Sequence, residues 1–108
     1  MKTITLKQGD TLRRRISLKY IGTNAPVDLT GCHAYSQLRT HPGGQLKADG
    51  TVTIDTAQGV IVALFTAAQT GELEPSDYGF DIRLESEGDV KTIYERGIRL
   101  VKPYTELE

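Results

Sequence analysis

The chain has 108 residues, 38% of them apolar and 25% charged, with a formal net charge of −1. This is one domain of common size with enough apolar material for a stable core, and the balanced charge supplies no global field that would favour polyanions or membranes. The opening MKTITLKQGD lacks the apolar run of a secretory signal, the run VIVALF at 60–65 is far too short to span a bilayer, and the lone Cys32 cannot form an internal disulfide.

Synthesis and folding in a reducing cytoplasm are therefore expected. The closing Leu107 and Glu108 read as an appended remnant, leaving residues 1–106 as a single β-sandwich domain.

Apolar residues recur with period two along most of the chain, the mark of half-buried strands, and no long window has a helical period. A short first strand, TITL at 3–6, leads through a turn at Gly9 and Asp10 into residues 11–20, TLRRRISLKY. There Leu12, Ile16, Leu18 and Tyr20 share one face, while Arg13, Arg15, Ser17 and Lys19 share the other. Arg14 falls on the core-side parity near the strand's start, where a long side chain can snorkel past the edge.

Residues 21–31 concentrate Gly22, Asn24, Pro26, Asp28 and Gly31 and read as a connection, with Asp28 and Gly31 as structural turn residues. The strand at 32–39 turns its small face (Cys32, Ala34, Ser36, with Leu38) inward. A loop at 40–45 and a weaker strand at 51–55 follow. Residues 59–66, continuously apolar and β-branched, are expected to form a central strand covered on much of both faces.

The segment at 67–77 has room for one helical turn before Gly71 and Pro75 end it. Tyr78, Phe80, Ile82 and Leu84 then alternate in a further strand, with Tyr78 placed to tie its hydroxyl to the preceding loop, the tyrosine-corner arrangement of sandwich folds. Residues 89–102 close the set as one strand broken by a bulge at Gly97. Seven to eight short strands with turns between them predict an all-β, two-sheet antiparallel sandwich, with a small closed barrel as the alternative.

The order GDTLRRRISLKY, PVDLTGCHAYSQLRT, GVIVALFTAAQTGELEPSDYGFDIRL, KTIYERGIRLVKPYTE resembles small domains of tailed bacteriophages and prophages, including the N-terminal β-sandwich domain of baseplate upper proteins. Gly9 and Asp10, Asp28 to Gly31, Gln37 to Arg39, Gln69 and Thr70, Tyr78 to Ile82, and Gly97 to Val101 carry the likeness. The resemblance implies an immunoglobulin-like sandwich serving as a virion assembly module, made in the host cytoplasm and then carried in the tail. In that family fibre or receptor-binding segments usually follow, whereas this chain stops at about 106, which favours a stand-alone connector, decoration or tail-completion piece.

Candidate chemistry is sparse. Cys32 and His33 point to opposite faces of a strand and, with His41 in a loop, offer no close-spaced ligand pair, so no metal or other cofactor is expected. Cys32 reads as a small core residue, and no nucleophile elbow or phosphate-binding loop accompanies it, so no enzyme activity is expected.

For nucleic acid, two or three phosphate contacts give only weak, salt-sensitive affinity, and the aromatics that could stack bases are only Phe65, Phe80 and five tyrosines, several at core parity, so neither nucleic acid nor membrane is an expected partner. The remaining reading is contact with other phage structural proteins or with a second copy. Its candidate surface comprises Arg13, Arg15 and Lys19 on the strand, His41 and Gln45 in one loop, and Glu72 and Glu74 in another. The alternative is a small ligand- or carbohydrate-binding module with its site in the loops.

Overall fold

Over the described residues, period-two alternation resolves into eight strands and one helical turn. A computed structural model describes residues 2–105. The strands are β1 (Thr3–Lys7), β2 (Leu12–Ser17), β3 (His33–Arg39), β4 (Leu46–Asp49), β5 (Thr51–Asp55), β6 (Val60–Phe65), β7 (Ser76–Ser86) and β8 (Asp89–Val101), with α1 (Ala67–Gly71) between β6 and β7. They form a five-stranded sheet in the order β1-β8-β7-β3-β4 and a three-stranded sheet in the order β2-β6-β5. The protein is an all-β, two-sheet sandwich.

Four expectations need correction. The sheets are not wholly antiparallel: β1 runs parallel to the second half of β8, Thr3 opposite Gly97 through Lys7 opposite Val101. Gly97 is not a bulge but lies buried within a continuous strand, opposite Gly79 of β7. The register shift falls at Ile93 instead, between the pairs Ile82–Tyr94 and Arg83–Thr92, so that both Ile93 and Tyr94 pack against the core.

Residues 46–49, between the loop expected at 40–45 and the strand expected at 51–55, form a strand of their own, β4, whose Ala48 is buried opposite Leu38. Finally, β2 ends at Ser17. Beyond it Val27 N–H donates to the Leu18 carbonyl at 2.9 Å, and Tyr20, expected on the inward face, is 53% exposed.

The longest pairing is the β7–β8 hairpin, closed by Glu87 and Gly88 at φ 54° and 87°, the two positive values that a tight hairpin turn with strand-like twist requires. Its inward residues, with those of β6, build two adjoining clusters. One gathers Leu6, Leu12, Leu38, Phe65, Tyr78, Phe80, Ile98 and Leu100; the other centres on Leu29, Ile61, Ala63 and Ile82. Edge-on contact of Phe65 with Phe80 at 5.7 Å sits in the first.

The helical turn α1 is fixed by reciprocal capping: the Thr66 hydroxyl accepts from Gln69 N–H, and the Gln69 side chain accepts from Thr66 N–H. Buried Thr70 then ties the turn to the β1–β2 connection by donating to the Asp10 carbonyl at 2.7 Å. On β7, the ring of Tyr78 is buried and its hydroxyl donates to the Glu74 carbonyl at 2.6 Å, which holds the acidic segment against the sandwich. Burial and the nearby Glu74 carboxylate push this phenol above its ordinary range.

The two sides of the sandwich close differently. On one, the chain passes from β4 in the large sheet to β5 in the small one at Gly50, whose N–H donates to the Ser36 carbonyl at 2.8 Å; Leu29 N–H donates to the Thr56 carbonyl at 3.1 Å. On the other side β2 ends its sheet, and β1 covers only residues 97–101 of β8. No strand covers β2 or residues 89–96 of β8 there among the described residues.

Candidate protein-interaction surface

On the uncovered side, backbone alternation decides which groups are free. Gly97 N–H donates to the Lys2 carbonyl and Gln8 N–H to the Val101 carbonyl, so the odd-numbered residues at this end of β8 face β1. Glu95 continues that alternation past the point where β1 begins, and its backbone groups face away from β7. On β2, Leu18 N–H donates to the Gly59 carbonyl at 2.8 Å, which turns the even-numbered residues toward β6 and leaves Arg13 and Arg15 facing outward.

On each edge one outward carbonyl is capped by the arginine that follows it. Arg14 Nη1 donates to the Arg13 carbonyl at 2.9 Å, and Arg96 Nη1 donates to the Glu95 carbonyl at 2.8 Å. Both arginines sit on the core-side parity of their strands, Arg14 opposite Ala63 and Arg96 opposite Phe80, and both are half-buried. The long stem runs along the sheet margin and the guanidinium turns back onto the edge.

Arg96 also lies over the Tyr94 ring, 4.2 Å from its centroid, and Tyr94 in turn meets Phe80 at 5.8 Å. Ile16 of β2 and Ile93 and Tyr94 of β8 pack against the same buried cluster. An open hollow of about 780 Å³ runs along the β8 edge, lined by Lys2, Thr92, Ile93, Tyr94, Glu95 and Arg96.

The residues singled out in the sequence are distributed around this framework rather than gathered. Arg13 and Arg15 are exposed on the outer face of β2, beside half-buried Val62 and Leu64 of β6, and Arg15 Nη1 donates to the Ser17 hydroxyl at 3.2 Å. Lys19 is exposed beyond the strand, bridged through its backbone to Pro26. Glu72 and Glu74 are exposed beside α1, at the end of the molecule where β2 begins.

His41 and Gln45 occupy the β3–β4 loop, with His41 Nδ1 3.0 Å from the Pro42 carbonyl oxygen and the Gln45 carbonyl accepting from Thr40 N–H. Asp28 accepts from the N–H and hydroxyl of Thr30, at 3.0 and 2.7 Å, and these bonds hold its carboxyl below the usual range. Gly31 follows at φ 80°, where a side chain would be strained. Cys32 and Ala34 are half-buried against the second cluster, and buried Ser36 donates to the Asp81 carbonyl at 2.6 Å.

A second concavity of about 490 Å³ lies on the outer face of the large sheet, where Gly79 leaves a gap between Arg39, Asp81, Glu95 and the His41–Gly43 loop. Arg39 is pinned there by Gln37 Oε1 and the Gly44 carbonyl. Asp81 stands directly opposite Glu95, and neither carboxylate joins an ion pair among the described residues. Burial first, and Glu95 besides, push the Asp81 carboxyl up against the opposing pull of Arg83 and Arg39.

Among the described residues no group of three His, Cys, Asp or Glu side chains is arranged to hold a metal, and no helix is long and apolar enough to cross a membrane. No protein-family model matches the chain, and comparison with curated proteins gives no match. The core-side parity of Arg14 was legible in the sequence, whereas its place on an edge strand follows from the strand order. Arg96 likewise becomes an edge residue only once β1 is known to stop beside Gly97.

Proposed function

We propose that this protein is a non-enzymatic assembly module of a tailed phage or prophage, an immunoglobulin-like sandwich that joins tail or baseplate proteins through protein–protein contacts. The observation that carries the reading is the uncovered side of the sandwich, where two strand edges lack a covering strand among the described residues and each has one outward carbonyl held by an arginine side chain. Unpaired strand edges are templates for pairing with another chain, and natural proteins that leave them exposed guard them with charge and bulges, as here at Arg14, Arg96 and Ile93. The likeness to the N-terminal domain of baseplate upper proteins points the same way.

Mass spectrometry of particles purified after prophage induction tests this. The module is expected at a level comparable to other tail proteins; its absence from intact particles that contain those proteins overturns the virion assignment. A second reading, a small-ligand module, is favoured by the concavity beneath the His41–Gly43 loop. Shifts of loop resonances at 41–50 on glycan titration would support it.

A further inference from the structure

Resting on that reading, the uncovered side also carries information about what it accepts. Along it stand Lys2, Arg14, Lys91 and Arg96, with Arg13 and Arg15 on the adjoining face of β2; the carboxylates there are Glu95 and, at the hairpin tip, Glu87 and Asp89. The local excess is positive although the chain as a whole is −1. Of the outward carbonyls that an added strand would use, those of Arg13 and Glu95 are each occupied by a guanidinium.

We propose that this side docks an extended, acidic segment of a partner protein, added as a strand to the β8 or β2 edge, with Arg14 and Arg96 acting as caps that only an acidic segment releases. The exchange conserves hydrogen bonds. A guanidinium leaves a neutral carbonyl for a carboxylate, which it can grip through two parallel N–H groups, and the incoming backbone N–H takes over the vacated carbonyl. A neutral or basic segment offers the arginine nothing in return for the carbonyl it loses.

A second copy of the chain fits less well. Antiparallel self-pairing of β2 about Arg14 would set Arg13 against Arg15, and like charges directly opposite one another destabilise a ladder. The hollow of about 780 Å³ beside Lys2 and residues 92–96 leaves room for the added strand. The bulge at Ile93 confines regular pairing to short runs on either side of it.

The test uses the whole chain with a fluorescent peptide of about six residues, an ordinary strand length, alternating glutamate and valine, and its lysine-for-glutamate counterpart. The glutamate peptide is expected to bind at least about tenfold more tightly, to weaken with salt, and to slow amide exchange at Arg13, Arg15 or Glu95. In the Arg14→Gln/Arg96→Gln variant the preference should fall toward unity with thermal unfolding little changed.

Equal binding of the two peptides overturns the proposal, as does protection confined to the closed side near Gly50. So does equally tight, equally located binding of a single-stranded oligonucleotide of the same charge. Protection mapped to the His41–Gly43 concavity would overturn strand addition while leaving the assembly reading intact, whereas absence from phage particles would remove the assembly reading whatever the peptides do.

Discussion

The two sides of this sandwich solve the same problem with different materials. On the β4–β5 side the sheets are joined by the chain itself, which turns the corner at Gly50 and secures it with main-chain bonds to Ser36 and from Leu29 to Thr56. A Cβ at Gly50 would come within 3.0 Å of the Phe65 ring and 3.2 Å of Ser36 Cβ, so this side is packed to contact. On the β2–β8 side two outward carbonyls, those of Arg13 and Glu95, accept from Arg14 and Arg96, whose side chains are half-buried. One side is shut by main-chain bonds and packing; the other leaves two strand edges without a covering strand among the described residues.

That contrast ranks the effects of substitution. Phe65 is 1% exposed and lies beside the closed corner, so Phe65→Ala should cost about 3–5 kcal/mol in denaturant unfolding. Gly50→Val, which forces a side chain against Phe65 and Ser36, should cost about 1–3 kcal/mol by the same measurement. Equal tolerance of valine at Gly50 and glutamine at Arg14 would erase the distinction between the sides.

A step smaller is Tyr78→Phe, which leaves the Glu74 carbonyl without its donor and should cost about 1 kcal/mol at neutral pH. The phenol has a raised pKa in the folded state, so the fold holds the proton more tightly than the unfolded chain. The stability linked to this group is complete below the ordinary tyrosine value and is lost as pH rises through the folded value. Alkaline unfolding of the wild type should therefore steepen above about pH 10, and Tyr78→Phe should flatten that limb.

On the outer face of the large sheet, Asp81→Asn removes one of two carboxylates placed directly opposite each other and should stabilise the protein by about 0.2–1 kcal/mol at pH 7. Because the Asp81 carboxyl is raised on folding, its charged form is the unfavourable one, and the gain should shrink as acid protonates it. Smallest in unfolding free energy is Arg14→Gln with Arg96→Gln, under about 1 kcal/mol by thermal melts. Its signature is elsewhere: with the edge carbonyls uncapped, light scattering at high concentration should rise.

Much of this architecture could be read from periodicity. The alternation at Tyr78, Phe80 and Ile82, the run at 60–65 and the split of Arg13 and Arg15 from Arg14 each follow from the two faces of a strand, a local property. Which strands meet is not local. The parallel pairing of β1 with β8 joins the two ends of the described chain and leaves no trace in either segment.

β4 was missed because only Ala48 of its four residues is buried, so LKAD carries too little alternation to distinguish it from a loop. Gly97 drew the bulge because glycine often marks one in a strand, whereas the extra residue is Ile93, an apolar side chain accommodated by the second cluster. The proposed interaction surface has the same origin: its charges are in the sequence, while the edge they flank exists only once the strand order is known.

The most direct test of the contrast is residue-resolved amide exchange on the dilute, isolated chain. The Gly50 and Leu29 amides, bonded at the closed corner, should exchange slowly, while those of Arg13, Arg15 and Glu95, facing away from the neighbouring strands, should exchange at rates close to those of exposed loops. Strong protection of Glu95 and Arg15 in the monomer, matching that of Gly50, would contradict the account, because it would mean that the β2–β8 side is already closed.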